Sequence, residues 1–380
     1  MVWVPPHLPT DPDAPLPDQA RKGRGAVSNR TNRYEKEVRI ATSDGWNDGT
    51  VPSDEDELPP LRTTLLKDAS RTIIARNTSP DVPFDRSINP YRGCEHGCVY
   101  CFARPSHAWL GFSPGLDFET RILFKPEAAK LLRKELSDPK YRCRMIAMGT
   151  NTDPYQPAER QMQITRSIVR TLADFKHPLG MVTKNHLITR DIDILKEMAQ
   201  DDLVECFLSV TTLDAELART MEPRASTPRR RLDAIEALAK AGIPVGVMTA
   251  PMIPALNDHE MEAILEEAHR RGARRAGYVL LRLPLEIKDL FREWLEAHVP
   301  DRAARVMSLV RQMRGGRDYD PEWGQRMTGE GPVAQLLSQR FDNACRRLGL
   351  NVERFRIDTS KFTVPADAVA ERNGGQLSLL

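Results

Sequence analysis

"GCEHGCVYCFARP", residues 93–105, sets Cys94, Cys98 and Cys101 close together in a chain that has six cysteines in all. The spacing C-x3-C-x2-C puts three thiols on one short loop, and thiolate is the form that binds metal. Structural zinc takes four ligands, usually from two separated cysteine pairs, and the sequence offers no second pair. His96 is a cramped fourth ligand, because it lies between the first two cysteines. Cys143, Cys206 and Cys345 stand alone and read as small buried hydrophobes. A [4Fe–4S] cluster accounts for the loop better than zinc: three cysteines hold three irons and leave the fourth open.

Outward from this loop, apolar strand-like runs alternate with helical patterns: 144–149, 179–183, 204–210, 243–249 and 276–282. The segment "RSINPYRG" before Cys94 reads as a short first strand. Pro126 suits the first turn of a helix carrying Leu131, Leu132 and Leu136. Thr189 reads as the cap of a helix with Ile194, Leu195 and Met198 inward. Leu232, Ile235 and Leu238 form a stripe that Gly242 ends. Such alternation indicates βαβ units and a parallel sheet. Six units are fewer than the eight of a closed barrel. The fold class expected is α/β: a partial (β/α)6 TIM-type barrel, with a doubly wound sheet as the alternative. In either, sites lie at the C-terminal ends of strands, which puts the cysteine loop on the functional face.

The hydrophobic share of 40% and charged share of 28% suit a soluble globular protein, and a net charge of +2 gives no global argument for nucleic acid. No apolar run approaches membrane-spanning length, and the N-terminus lacks the pattern of a signal peptide. The expectation is a cytoplasmic protein without a membrane partner, where clustered cysteines serve metal or catalysis rather than disulfides. Residues 1–60 carry nine of the 29 prolines, a basic stretch at 21–39 and an acidic run at 53–60. They read as a largely disordered arm; the basic stretch is either a solvated arm on the domain or a nucleic-acid contact. Residues 61–83 form a lead-in, 84–315 the core barrel, and 316–380 a C-terminal helical extension. Its segment 332–349 is expected as a helix lying as a lid across the open barrel.

The cysteine loop, with aromatic Tyr100 just before the last cysteine, resembles the radical S-adenosylmethionine (SAM) superfamily. The wider context, "INPYRGCEHGCVYCFAR" followed by "MGTNTDPYQPAE", resembles the branch related to spore photoproduct lyase. The resemblance spans roughly residues 84–315. It implies a radical SAM enzyme, lyase-like, in which Cys94, Cys98 and Cys101 carry an iron–sulfur cluster whose open iron chelates SAM. Reductive cleavage of SAM would then yield a 5′-deoxyadenosyl radical that takes hydrogen from an unidentified substrate, a DNA lesion being one candidate. The resemblance also implies a low-potential electron donor, flavodoxin- or ferredoxin-like.

Tyr100 is expected against the adenine. Gly149 permits close backbone approach, and Thr150, Asn151 and Asp153 offer acceptors to the SAM ammonium; Asp153 reads equally as a turn residue. By strand order Lys184 and Ser209 match a lysine and a serine that in the branch meet the carboxylate or the ribose. Asn257 is placed near the adenosine, or as a helix cap. Arg224 either reaches SAM or locks its loop onto Glu222, the second being favoured. The branch has a hydrogen-returning cysteine just beyond the second strand, where this chain has Gly149. Tyr155 is then the candidate for closing a radical cycle, with re-formation of SAM as the other route. Arginine clusters at 229–231, 269–275 and 345–347 are either nucleic-acid contacts or polar outer faces. The loop with Trp109 and Phe112, together with His107, is expected over the substrate mouth or else packed on the core. The alternative from another class is a zinc-stabilised, non-catalytic nucleic-acid-binding protein.

Overall fold

In a computed structural model, residues 18–38, 61–353 and 355–372 are described. The strands in chain order are β1 (Thr64–Lys67), β2 (Ile74–Arg76), β3 (Arg86–Ile88), β4 (Tyr91–Arg92) and β5 (Arg121–Phe124). They continue with β6 (Ile146–Met148), β7 (Leu179–Thr183), β8 (Val204–Ser209), β9 (Val245–Met252) and β10 (Arg275–Leu280). The main sheet runs in the order β10-β9-β8-β7-β6-β3-β2. Its six strands from β3 to β10 are mutually parallel, and β2 is added antiparallel at the edge. The sheet ends at β10 and β2 without closing. This is the expected partial (β/α)6 barrel, and the doubly wound alternative falls. A small second sheet, β1-β5-β4, lies beside it.

The central strands bury both faces, as parallel strands covered by helices must. Ile146, Met148, Met181, Cys206, Leu208 and Val247 are buried in one continuous core. Cys206 therefore packs as a hydrophobe. The helix Pro228–Lys240 takes Pro at its first turn and a Thr227 side-chain cap, and buries Leu232, Ile235 and Leu238 inward as its stripe requires. One cap differs from the reading of the sequence. Asn185 rather than Thr189 caps, accepting from the Leu187 amide, because a 3-10 turn over His186–Asp191 precedes the helix Ile192–Gln200. Thr189 instead donates to the His186 carbonyl at 2.9 Å.

The expected arm falls mostly outside the described residues, but 18–38 is described, and its middle is neither solvated nor loose. Arg24, Ala26 and Ser28 are buried. Buried Glu119 accepts from the Gly25 and Ala26 amides at 3.0 and 2.8 Å and pairs with Arg104. Arg104 in turn donates to the Cys98 carbonyl at 2.9 Å. A Cβ on Gly25 would lie 1.8 Å from the Gly97 carbonyl oxygen, so only glycine lets this strap lie against the cysteine loop.

The C-terminal helix forms over Gly331–Leu348, close to the range read from the sequence. It packs against the helix Met261–Arg270 and the outside of β10, with Phe341 4.7 Å from Tyr278 between ring centroids. It is not the lid expected. The segment before it reaches the barrel mouth instead, where the Met327 carbonyl accepts from the Leu280 amide at 3.0 Å. Among the described residues no helix is long and apolar enough to cross a membrane.

Candidate active site

The cysteine loop lies over the C-terminal ends of the strands, and Cys94, Cys98 and Cys101 face one cavity there. The same cavity takes Tyr100, Gly149, Thr150, Asn151, Asp153, Lys184 and Ser209. Ten of the residues singled out in the sequence therefore meet in one place, although they come from four segments of chain. Tyr155 and Asn257 do not join them.

The loop is held from every side. Glu95 donates its amide to Gln156 at 2.9 Å, Gln156 donates to the Gly93 carbonyl, and the Val99 amide reaches the Met221 carbonyl at 3.1 Å. His96 is buried with Nδ1 3.4 Å from Asp153 Oδ2 and Nε2 3.1 Å from Asn185 Nδ2. Asn185 Oδ1 already accepts from the Leu187 amide and the Ser226 hydroxyl, so its NH2 faces the ring. His96 Nε2 is thus the acceptor and Nδ1 carries the proton given to Asp153. This histidine is a strut, and its ring nitrogens are spent.

Asp153 accepts from the Tyr155 amide at 2.9 Å, the Lys184 amide at 2.8 Å, the Thr183 hydroxyl at 2.7 Å and His96. Burial would raise its pKa, but His96 and those donors outweigh burial and bring it to about 2. Four donors fill its four acceptor positions, so the carboxylate frames the site rather than waiting for an ammonium. Gly149 has φ +84°, and a Cβ there would lie 1.8 Å from the Val182 carbonyl oxygen. The close approach it permits is to β7.

Tyr100 donates to Glu222, which Arg231 and Thr211 also engage. Burial pushes Glu222 up, but Arg231 and then Lys184 hold it down at about 2. The lock expected between Arg224 and Glu222 is made with other partners: Arg231 takes Glu222, and Arg224 pairs with Glu95 at 3.0 Å. The Lys184 ammonium lies 5.7 Å from the Tyr100 ring centroid.

Two placements are corrections. Tyr155 is fully buried outside the cavity and donates to Asp191 at 3.0 Å, so it cannot return hydrogen to a substrate there. Asn257 ties its own loop, accepting from the Ile253 amide and donating to the Thr211 and Pro251 carbonyls. His107 is buried beneath the loop rather than over the mouth, and exposed Trp109 lies tilted against Tyr34, ring centroids 4.7 Å apart. The sequence reading missed Phe102, Arg282 and Met327, which complete the cavity wall on the β9–β10 side. Only the aromatic character of Phe102, next to the last cysteine, was a usable signal.

The donor set fits an iron–sulfur cluster. All three cysteines are free thiols in one cavity. Burial pushes each thiol up, Cys98 to about 12 with Glu222 adding to it, while Lys184 pulls Cys98 and Cys101 down. Thiols so placed ionise when a cation supplies the missing charge. Among the described residues no three His, Cys, Asp or Glu converge as one metal ion needs. Zinc would draw its thiolates to about 2.3 Å, whereas a cluster receives each at a different corner.

The model of the radical SAM superfamily matches residues 88–268. An uncharacterized protein of Mycobacterium tuberculosis is 38% identical over 61% of this chain and 68% of its own length. An uncharacterized protein of Methanocaldococcus jannaschii is 28% identical over 46% of this chain and 62% of its own. Among solved structures, spore photoproduct lyase complexed with dinucleoside spore photoproduct superposes with a TM-score of 0.53 at 15% identity, covering 75% of this chain and 80% of that one. A mutant of that lyase with bound AdoMet and the same dinucleoside gives a TM-score of 0.53 at 14% identity over the same shares. At these identities the likeness is one of fold.

Proposed function

The chain belongs to the radical SAM superfamily and is an enzyme, and on that premise we propose that Cys94, Cys98 and Cys101 hold a [4Fe–4S] cluster whose open iron binds SAM. The observation that carries the proposal is the meeting of these three thiols with Gly149–Asn151, Lys184 and Ser209 in one cavity at the strand ends. When bound, the cluster supplies the electron that cleaves SAM to methionine and a 5′-deoxyadenosyl radical. The chain's own residues bind and orient. Lys184 faces the methionine carboxylate, the main chain of Gly149, Thr150 and Asn151 takes the amino end, and Ser209 reaches the carboxylate or the ribose. Tyr100, its hydroxyl anchored on Glu222, offers its ring to the adenine. Asp153 and His96 hold the cysteine loop to β7. Met248, Val279, Leu280 and Met327 line the remaining wall with apolar surface, which keeps water from the reacting carbon.

The finer assignments follow the same reading: a lyase-like reaction, a flavodoxin- or ferredoxin-like donor of low potential, and a cytoplasmic setting. A DNA lesion stays a candidate substrate, with a mechanism that differs from the lyase at its last step. No cysteine beyond the three lines the cavity among the described residues, and a side chain at position 149 would strike β7. The product radical must then be quenched by another group or by SAM re-formation. The zinc-stabilised, non-catalytic alternative is not carried further, since its premise was the absence of catalysis.

The test is anaerobic incubation of reconstituted protein with SAM and dithionite. Wild type is expected to release 5′-deoxyadenosine, and Cys98→Ala none while retaining its circular dichroism spectrum. Equal release by both would overturn the reading. Failure of active enzyme to convert ultraviolet-damaged oligonucleotides would remove DNA lesions from it.

A further inference from the structure

Arg282 follows β10 and lines the mouth of the cavity. Its guanidinium lies 5.1 Å from the Phe102 ring centroid, and Nη1 is 3.3 Å from Met327 Sδ, a weak acceptor. Its Nε is buried with no partner among the described residues. Near enough to feel its charge is Arg314, fully buried, with its Nη atoms on the Gln325 and Leu281 carbonyls at 2.9 Å and its own Nε without a partner among the described residues. Burial, and then the charge of Arg282, push Arg314 below its ordinary value. Asp81 feels the charge of Arg282 but is engaged by Arg326.

Two other buried arginines are neutralised, Arg104 by Glu119 and Arg231 by Glu222. Leaving a buried donor unpaired costs about 1–3 kcal/mol. Arg282 in the cavity wall and Arg314, near enough to feel its charge, each keep an unused Nε. Neither has an ion-pair partner among the described residues, Asp320 acting on Arg314 only at longer range, and this prepares the wall for an incoming negative charge. Arginine's planar fork matches phosphate and carboxylate oxygens in pairs. Half-exposed Phe102, with Val279 and Met327, gives an apolar surface next to it.

We propose that Arg282, backed by Arg314, is an oxyanion subsite for the substrate, which carries a phosphate or carboxylate group and lays an apolar or flat portion on Phe102, Val279 and Met327. The proposal rests on the radical SAM reading of the same cavity, in which the SAM carboxylate goes to Lys184 from the other wall. One mouth then takes two anions on two separate cations.

The test is arginine labelling with phenylglyoxal on cluster-loaded, SAM-saturated wild-type protein kept anaerobic. Adducts at Arg282 are quantified by peptide mass spectrometry in phosphate, acetate or chloride of matched ionic strength, with exposed Arg219 as reference. Labelling is expected to fall about tenfold when phosphate or acetate is near ten times its Kd, and not in chloride. Protection by phosphate alone identifies a phosphate-bearing substrate, and by acetate alone a carboxylate-bearing one. Equal labelling in all three salts would overturn the proposal. So would protection by SAM alone relative to SAM-free protein, or a guanidinium that never labels. Iron content and the SAM response of the reduced cluster, read on the same sample, report separately on the radical SAM reading.

Discussion

On the β6–β7 side of the mouth, Asp153 receives four donors, His96 has both ring nitrogens used, and the cysteine loop is stapled to three other segments. On the β9–β10 side, Met248, Val279, Leu280 and Met327 are apolar, Phe102 is 45% exposed, and the buried Nε of Arg282 has no acceptor among the described residues. The first wall is complete as it stands, which is what holding a cofactor in fixed orientation needs. The second offers shape and unsatisfied charge, which suits an occupant that comes and goes. Stability and cofactor retention should thus depend on the first wall and substrate choice on the second.

The largest effect expected is from Cys98→Ala, which should abolish cluster loading and SAM cleavage together; iron analysis after reconstitution checks it. Retention of the full iron content would break the comparison at its base.

Acid should act on the first wall next. His107 packs under Gly93, gives Nε2 to the Arg121 carbonyl at 3.0 Å, and has Nδ1 buried with no partner among the described residues. Burial brings its pKa down to about 4. The unfolded chain protonates near 6.5, so this contribution to stability is complete above pH 6.5 and is lost as pH falls toward 4. The loss is on the order of 3 kcal/mol. His177, also held at about 4 by burial, adds a similar loss in the same window. Denaturant titrations of metal-free protein at several pH values should show the decline, and His107→Gln should flatten about half of it. An unchanged slope would mean that His107 is not buried neutral.

Asp153→Asn keeps the shape of the first wall but mismatches its donors. Cluster or SAM affinity should drop about 10- to 100-fold, as for partners that orient metal ligands; iron retention under a chelator gives the value. A change no larger than that from an exposed substitution would make the network ornamental. The smallest effect belongs to the second wall. Phe102→Ala should alter folding stability by no more than about 0.5 kcal/mol, measured by urea denaturation; a loss of several times that would show Phe102 to be part of the frame.

Much of the first wall was legible in the sequence because its signals are local. Three cysteines at fixed spacing identify their own loop, and parallel strands buried on both faces read as continuous apolar runs, as at 179–183 and 204–210. Gly149 and Lys184 follow from strand order. What could not be read depends on contacts between distant segments. Glu222 chose Arg231 over Arg224 because the helix starting at Pro228 delivers Arg231 beneath the loop. Tyr155 sits in a turn that sends its ring into the core, toward Asp191. Gly25 lies in a polar, basic stretch whose composition suggests no structure, yet Glu119, more than 90 residues away in sequence, holds it against the cysteine loop. The β9–β10 wall was invisible because Phe102, Arg282 and Met327 form no motif and meet only when the barrel folds.

The central claim is tested most directly by the electron paramagnetic resonance spectrum of anaerobically reconstituted, reduced protein, recorded with and without SAM alongside iron and sulfide analysis. The account predicts about four irons per chain and a cluster signal that SAM perturbs, because the iron without a cysteine ligand is open to it. A protein that takes up zinc and no iron, or a cluster whose spectrum is indifferent to SAM, would contradict it.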